Sequence, residues 1–65
     1  MNQDKLLPEV IAYAKQQGFI RSSILQLKYK LGYNRAYKLM KQMEEAGIFT
    51  DENQGEYWID RVVKL

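Results

Sequence analysis

The stretch Ser22-Ser23-Ile24-Leu25-Gln26-Leu27-Lys28-Tyr29-Lys30-Leu31-Gly32-Tyr33-Asn34-Arg35-Ala36, running on through Tyr37 to Gly47, decides how this chain folds. Ser22 or Ser23 suits a helix N-cap, because a short hydroxyl side chain accepts from the orphan N–H groups of a first turn. In the helix that follows, Ile24, Leu27 and Leu31 form an apolar stripe, Lys28 and Lys30 point elsewhere, and Gly32 ends it. Asn34 offers a second N-cap, opening a run that reaches Ala46 before Gly47 stands in a helix-terminating position. Two helices joined by a tight turn containing glycine make a helix-turn-helix.

At about 100° per residue, the helix from about 34 to 46 carries Ala36, Leu39, Met40 and Met43 on one arc. Asn34, Lys38, Lys41, Gln42 and Glu45 fall on the opposite side, with Arg35 and Tyr37 flanking them. A helix of this kind packs by its apolar side and presents cations outward, which suits a negatively charged surface. An ordinary amphipathic helix shows the same pattern.

Upstream, Leu7, Val10, Ile11 and Ala14 recur at i, i+3, i+4, i+7, Asp4 can cap the start, and Pro8 fits only a first turn. A first helix therefore runs from Asp4 or Leu7 to Gln17, and Gly18 stops it. Gly18 to Ser22 reads as a connector or a short strand around Phe19 and Ile20. Downstream, Ile48-Phe49-Thr50 and Glu56-Tyr57-Trp58-Ile59-Asp60 flank a polar turn ending in Gly55, which reads as a β-hairpin. The expected architecture is mainly α with a small β-hairpin, a winged helix-turn-helix in one domain spanning 1–65. Either Trp58, or Tyr57 with Ile59, closes the core, since alternation turns only one set inward. Arg61 to Leu65 either extends the strand or frays.

A 65-residue chain leaves room for one small core and excludes a two-domain enzyme. With no Cys and no His, disulfides, thiolate chemistry, zinc fingers and imidazole catalysis are absent by inventory. No apolar run approaches the roughly 18 residues of a membrane span, and the first residues lack the pattern of a signal peptide, so a cytoplasmic protein without a membrane role is expected. No pair of acid–base residues is set apart, so no catalytic residue and no enzyme activity is expected. The set Glu44, Glu45, Asp51, Glu52 and Glu56 has no metal-loop spacing and reads as a solvated acidic face, leaving neither metal nor cofactor. The net charge of +2 hides an asymmetry: six cations and no anion lie between Arg21 and Lys41, six anions and no cation between Gln42 and Asp60. The basic middle either faces a polyanion or is attracted to the acidic half within the folded domain.

Gly32-Tyr33-Asn34-Arg35-Ala36, then Leu39, Met43-Glu44 and Ala46-Gly47-Ile48, resembles the gamma domain of FtsK-type DNA translocases. Ser23, Leu25, Gln26, Lys28 and Lys30-Leu31 fall in step with that family's second helix. The likeness covers Ser23 to Thr50 closely and Asp4 to Ile59 more loosely. It implies a winged helix that binds double-stranded DNA at short, oriented sequences, with the start of the third helix in the major groove and Asn34 and Arg35 at base-contacting positions. Lys38 stands near a position where the family commonly has Arg, which keeps the charge without the planar fork. Tyr37 replaces a usually small residue, and the carboxylates of Asp51 to Glu56 argue against a wing in the minor groove. The chain has no GxxxxGK[ST] phosphate loop and hence no motor of its own.

The resulting expectation is sequence-directed binding of double-stranded DNA. Asn34, Arg35 and Lys38 face bases, while Ser23, Lys28, Lys30, Tyr33 and Lys41 lie along phosphates. Each has a plainer reading: Asn34 as a helix cap, Arg35 and the lysines as solvated charges, and Tyr29, Tyr33 and Tyr37 as packing. One copy covers little DNA, so specificity calls for self-association, adjacent copies or fusion to a larger protein. The alternative is a protein-interaction module that docks a basic partner on the acidic wing and exposed aromatics.

Overall fold

The computed structural model describes residues 3–64. Its elements are α1 (Leu7–Gln17), β1 (Phe19–Ile20), α2 (Ser22–Tyr29), α3 (Tyr33–Glu45) and β2 (Arg61–Val62). In α1 the expected stripe holds: Leu7, Val10 and Ala14 are buried and Ile11 packs partly against them. Asp4 does not cap this helix, whose N-cap is Leu6; instead Asp4 Oδ1 accepts the Leu6 N–H at 2.9 Å. Gly18, at φ 86°, closes the far end by donating its N–H to Ala14 C=O.

Helix α2 keeps only part of its expected stripe: Ile24 and, just beyond the helix, Leu31 pack partly buried against the core, but Leu27 does not. Arg21 is the N-cap, without a side-chain cap bond, and Ser22 is a buried first helical residue whose N–H donates to Tyr57 C=O at 2.8 Å. That anchor turns Ser22 and Leu25 inward and leaves Leu27 82% exposed. Nor does Gly32 end the helix. Lys30 takes the left-handed conformation at φ 55°, ψ 49°, and Gly32 becomes the N-cap of α3 in an extended conformation. Helix α3 thus begins one residue before Asn34, whose side chain makes no cap bond, and ends at Glu45 with Gly47 at φ 75° just beyond.

The wing differs from expectation in register. β1 and β2 are antiparallel, pairing Phe19 with Val62 and Ile20 with Arg61. On the other edge of the C-terminal strand, Phe49 bridges to Val63, Thr50 N–H donates to Val62 C=O at 2.9 Å, and Lys64 N–H to Ile48 C=O at 2.8 Å. The returning strand is therefore 61–63, and 56–60 is part of the loop. Tyr57, not Trp58, closes the core: Tyr57 is buried and Trp58 is 61% exposed. Leu65 lies outside the described residues. The three helices with this small antiparallel pairing form a winged helix-turn-helix around Leu7, Val10, Ala14, Ile20, Leu25, Ala36, Leu39, Met40, Met43, Ile48, Tyr57 and Val63.

The acidic segment is not simply a solvated face. Arg61 is buried to 1% exposure on the inward side of β2 and draws two of the carboxylates to itself. Its Nε donates to Asp51 Oδ1 at 2.7 Å and its Nη1 to Glu44 Oε2 at 3.3 Å. A buried guanidinium needs compensating charge and acceptors, so Glu44 and Asp51 serve the fold where composition suggested only surface charge.

Candidate nucleic-acid interface

Apolar positions of α3 at the helical period pull one side into the core: Ala36, Leu39, Met40 and Met43 are fully buried. The opposite side is consequently held outward, and Asn34, Arg35, Lys38 and Lys41 are all exposed along it. At about 100° per residue, Asn34, Lys38 and Lys41 fall on one narrow stripe and Arg35 lies at its edge. Glu45, on the last turn, is an anion on the same stripe.

The residues expected at bases are therefore together on the first two turns of α3. Asn34 is exposed at the start of the helix. Arg35 is exposed as well but engaged, donating through Nε to Asp4 Oδ2 at 2.8 Å and through Nη2 to Asp4 Oδ1 at 2.9 Å. The hydrogen bond from Arg35 is the chief reason that the Asp4 carboxyl is held below its ordinary range. Asp4 in turn raises the affinity of Arg35 for its proton. Gln42, on the half-buried margin of the helix, accepts the Asp4 N–H at 3.2 Å.

The residues expected at phosphates are spread over α2, the turn and α3. Ser23 is exposed in the first turn of α2, and its hydroxyl accepts from Arg21 Nε at 2.9 Å. Arg21 also pairs with Asp60. The Lys28 ammonium sits 4.4 Å from the centre of the Tyr13 ring and 5.7 Å from that of Tyr29, a cation–π placement that leaves it at the surface. Lys30 and Tyr33 lie on either side of the turn, both exposed, and Lys41 projects from the third turn of α3.

The tyrosines do not form one stack. Tyr29 packs edge-on against Tyr13 at 6.3 Å, whereas Tyr33 stacks on Tyr37 at 5.4 Å and Tyr37 meets Tyr57 edge-on at 4.6 Å. The Tyr37 hydroxyl donates to Gly55 C=O at 3.2 Å, tying α3 to the wing loop. Its bulk is thus turned along the wing and not across the Asn34 stripe. Among the described residues, no group of three or more His, Cys, Asp or Glu side chains is placed to hold a metal ion, and no helix is long and apolar enough to cross a membrane.

Sequence reasoning placed Gln42 on the outward side but missed Asp4 as a neighbour of that face. Positions 4 and 35 are linked by no spacing rule, and nothing in the residues around Asp4 announces an arginine partner.

A helix-turn-helix whose third helix turns an exposed polar side outward, together with a short wing, defines the winged-helix class. This chain belongs to the FtsK gamma domain family: the family model described as Ftsk gamma domain matches residues 1–57. It is 40% identical over 52 residues to the DNA translocase FtsK of Clostridium tetani, a match covering 80% of this chain and 7% of that protein. Over 53 residues it is 36% identical to the DNA translocase FtsK of Pasteurella multocida and 38% identical to that of Haemophilus influenzae. Each of these covers 82% of this chain, with 6% and 10% of the respective relative. The chain thus spans no more than a tenth of the length of these curated relatives. No solved structure matches it significantly.

Proposed function

We propose that this winged helix binds double-stranded DNA in a sequence-directed manner, with α3 in the major groove. Asn34, Arg35 and Lys38 reach base edges, and Ser23, Lys28, Lys30, Tyr33 and Lys41 lie along the phosphates. The observation that carries the reading is the open, cationic stripe on the first turns of α3, where a recognition helix makes its base contacts. Asn and Arg are the residue types whose two-donor or donor–acceptor edges match adenine and guanine in that groove, whereas lysine acts mainly as a point charge. The relatives are DNA translocases by name, which supports DNA as the partner of this winged helix, and the chain itself contains no GxxxxGK[ST] phosphate loop.

Docking of a basic protein on the wing draws less support than composition suggested, because Glu44 and Asp51 are turned onto Arg61.

The test is fluorescence anisotropy with mixed-sequence duplexes and with duplexes selected from a random pool, at several salt concentrations. Affinity should fall steeply with salt, with a slope of about 0.9 per phosphate neutralised. Arg35→Ala should weaken binding to the selected duplex roughly tenfold or more. Undetectable binding at low salt, or an Arg35→Ala variant that binds like the wild type, would sink the proposal.

A further inference from the structure

The grip of Asp4 on Arg35 leaves part of the arginine unused. A guanidinium carries five N–H donors in one plane, and Asp4 takes its side edge, Nε with one hydrogen of Nη2. The end edge, Nη1 with the second hydrogen of Nη2, has no hydrogen-bond partner among the described residues. That end edge is itself a two-donor fork of the kind that matches O6 and N7 of guanine.

Asp4 is fixed from other directions. Its N–H is held by Gln42 Oε1 at 3.2 Å and its Oδ1 also accepts from Leu6 N–H at 2.9 Å, with only 16% of its side chain exposed. Gln42 stands about two turns along α3 from Arg35 and on nearly the same stripe. The N-terminal segment is therefore fastened to the margin of the outward face at two points. An arginine held in this way loses little rotamer freedom on meeting a base, whereas a free one must be ordered at that moment. The carboxylate also offsets part of the charge that Arg35 would otherwise offer to any phosphate.

We propose that Asp4 is a positioning and specificity-determining residue, which presents the end edge of Arg35 to a guanine while weakening its attraction for backbone. This rests on the reading of α3 as a duplex-reading helix. Asp4 is expected to favour the right base over binding strength in general.

The test uses the whole chain, a duplex selected by the wild type from a random pool, and that duplex with each G·C pair changed in turn to A·T. The wild type should lose roughly tenfold in affinity at the pair that Arg35 reads, the pair where Arg35→Ala abolishes discrimination. Asp4→Ala should cut the discrimination at that pair to about threefold or less, with the other pairs unaffected and affinity for a mixed-sequence duplex equal or higher. Asp4→Asn, nearly the same shape, should fall between, and decides the matter if Asp4→Ala proves unfolded by circular dichroism. Unchanged discrimination, or equal weakening on every duplex, overturns the role of Asp4. If Arg35→Ala alters discrimination nowhere, the duplex-reading assignment of α3 has failed, and Asp4's role with it. If Arg35→Ala abolishes discrimination and both Asp4 variants keep it, only the role of Asp4 fails.

Discussion

Arg61 Nε lies 2.7 Å from Asp51 Oδ1 in an ion pair whose cation is withdrawn from water. The same guanidinium reaches Glu44 Oε2 on the last turn of α3 and Glu56 C=O in the wing loop, with the Phe49 ring 4.5 Å from its centre. One buried side chain thereby joins α3, both arms of the wing and the loop between them. Replacing it removes the cation and leaves two part-buried carboxylates with no compensating charge. Arg61→Met, which keeps much of the volume, should cost about 3 kcal/mol or more. That is a large share for a domain whose stability scales at roughly 0.05–0.15 kcal/mol per residue. The urea midpoint reports it, and a shift equivalent to less than about 1 kcal/mol would show that the network is ornamental.

Stability should form a plateau bounded on both sides of neutrality. Burial alone would raise Glu44 and Asp51. The Tyr57 hydroxyl, Gly55 N–H and Arg61 outweigh it at Glu44, and the Asn53 and Val62 N–H groups with Arg61 outweigh it at Asp51. Both therefore lie below their ordinary values of 4.5 and 3.8, and so does Asp4, chiefly through Arg35. A depressed folded pKa means that the unfolded chain takes up protons first, so this stability is present above the ordinary carboxylate range and is lost as pH falls through and below it. Tyr57 runs the other way: burial, then its hydrogen bond to Glu44, pushes its phenol above the ordinary 10.0. Its contribution is complete below that value and drains away as pH rises beyond it. Urea midpoints across the pH range should show both limbs, and Glu44→Gln with Asp51→Asn should flatten the acid one.

Neighbouring aromatics in the wing loop should behave oppositely. Tyr57 is buried and donates its hydroxyl to Glu44 Oε1, while Trp58 is largely in solvent. Tyr57→Phe keeps the ring and removes the donor, at a cost of about 1–2 kcal/mol from the part-buried carboxylate left short of a partner. Trp58→Ala should change stability by no more than about 0.5 kcal/mol. Thermal melts of the two variants separate the cases, and an equal loss in both would mean that the loop packs otherwise than described.

The helices were readable because a 3.6-residue period over eleven or thirteen residues leaves little freedom of phase. Leu7, Val10 and Ala14 in α1, and Ala36, Leu39, Met40 and Met43 in α3, are buried as the spacing predicts. Eight residues containing Ile24, Leu25 and Leu27 leave the phase of α2 open, and a hydrogen bond from Ser22 N–H to the distant Tyr57 C=O settles it. The wing's register was illegible for a related reason. Alternation around Tyr57 and Ile59 looks like a strand, while a buried arginine at position 61 looks like an outward one, since its carboxylate partners are identifiable only once the chain has folded. The open face of α3 follows from its buried face and was legible; the fork between Arg35 and Asp4, 31 residues apart, was not.

Lys30 is the only non-glycine residue at positive φ among those described. A left-handed conformation brings Cβ close to backbone and costs a non-glycine residue about 1 kcal/mol, yet this position ends α2 where a glycine would serve without strain. Lys30→Gly should therefore stabilise the fold by about 0.5–1 kcal/mol, less whatever is lost to the freer unfolded chain. If Lys30 also meets a phosphate, the same variant should bind duplex DNA more weakly on all sequences alike and lower the salt slope by about one. A tighter fold that binds less well, with base preference intact, is the combined signature, read by urea titration and salt-dependent anisotropy on one preparation. A more stable variant with an unaltered salt slope would remove Lys30 from the phosphate contacts, and a destabilised one would contradict the strained turn.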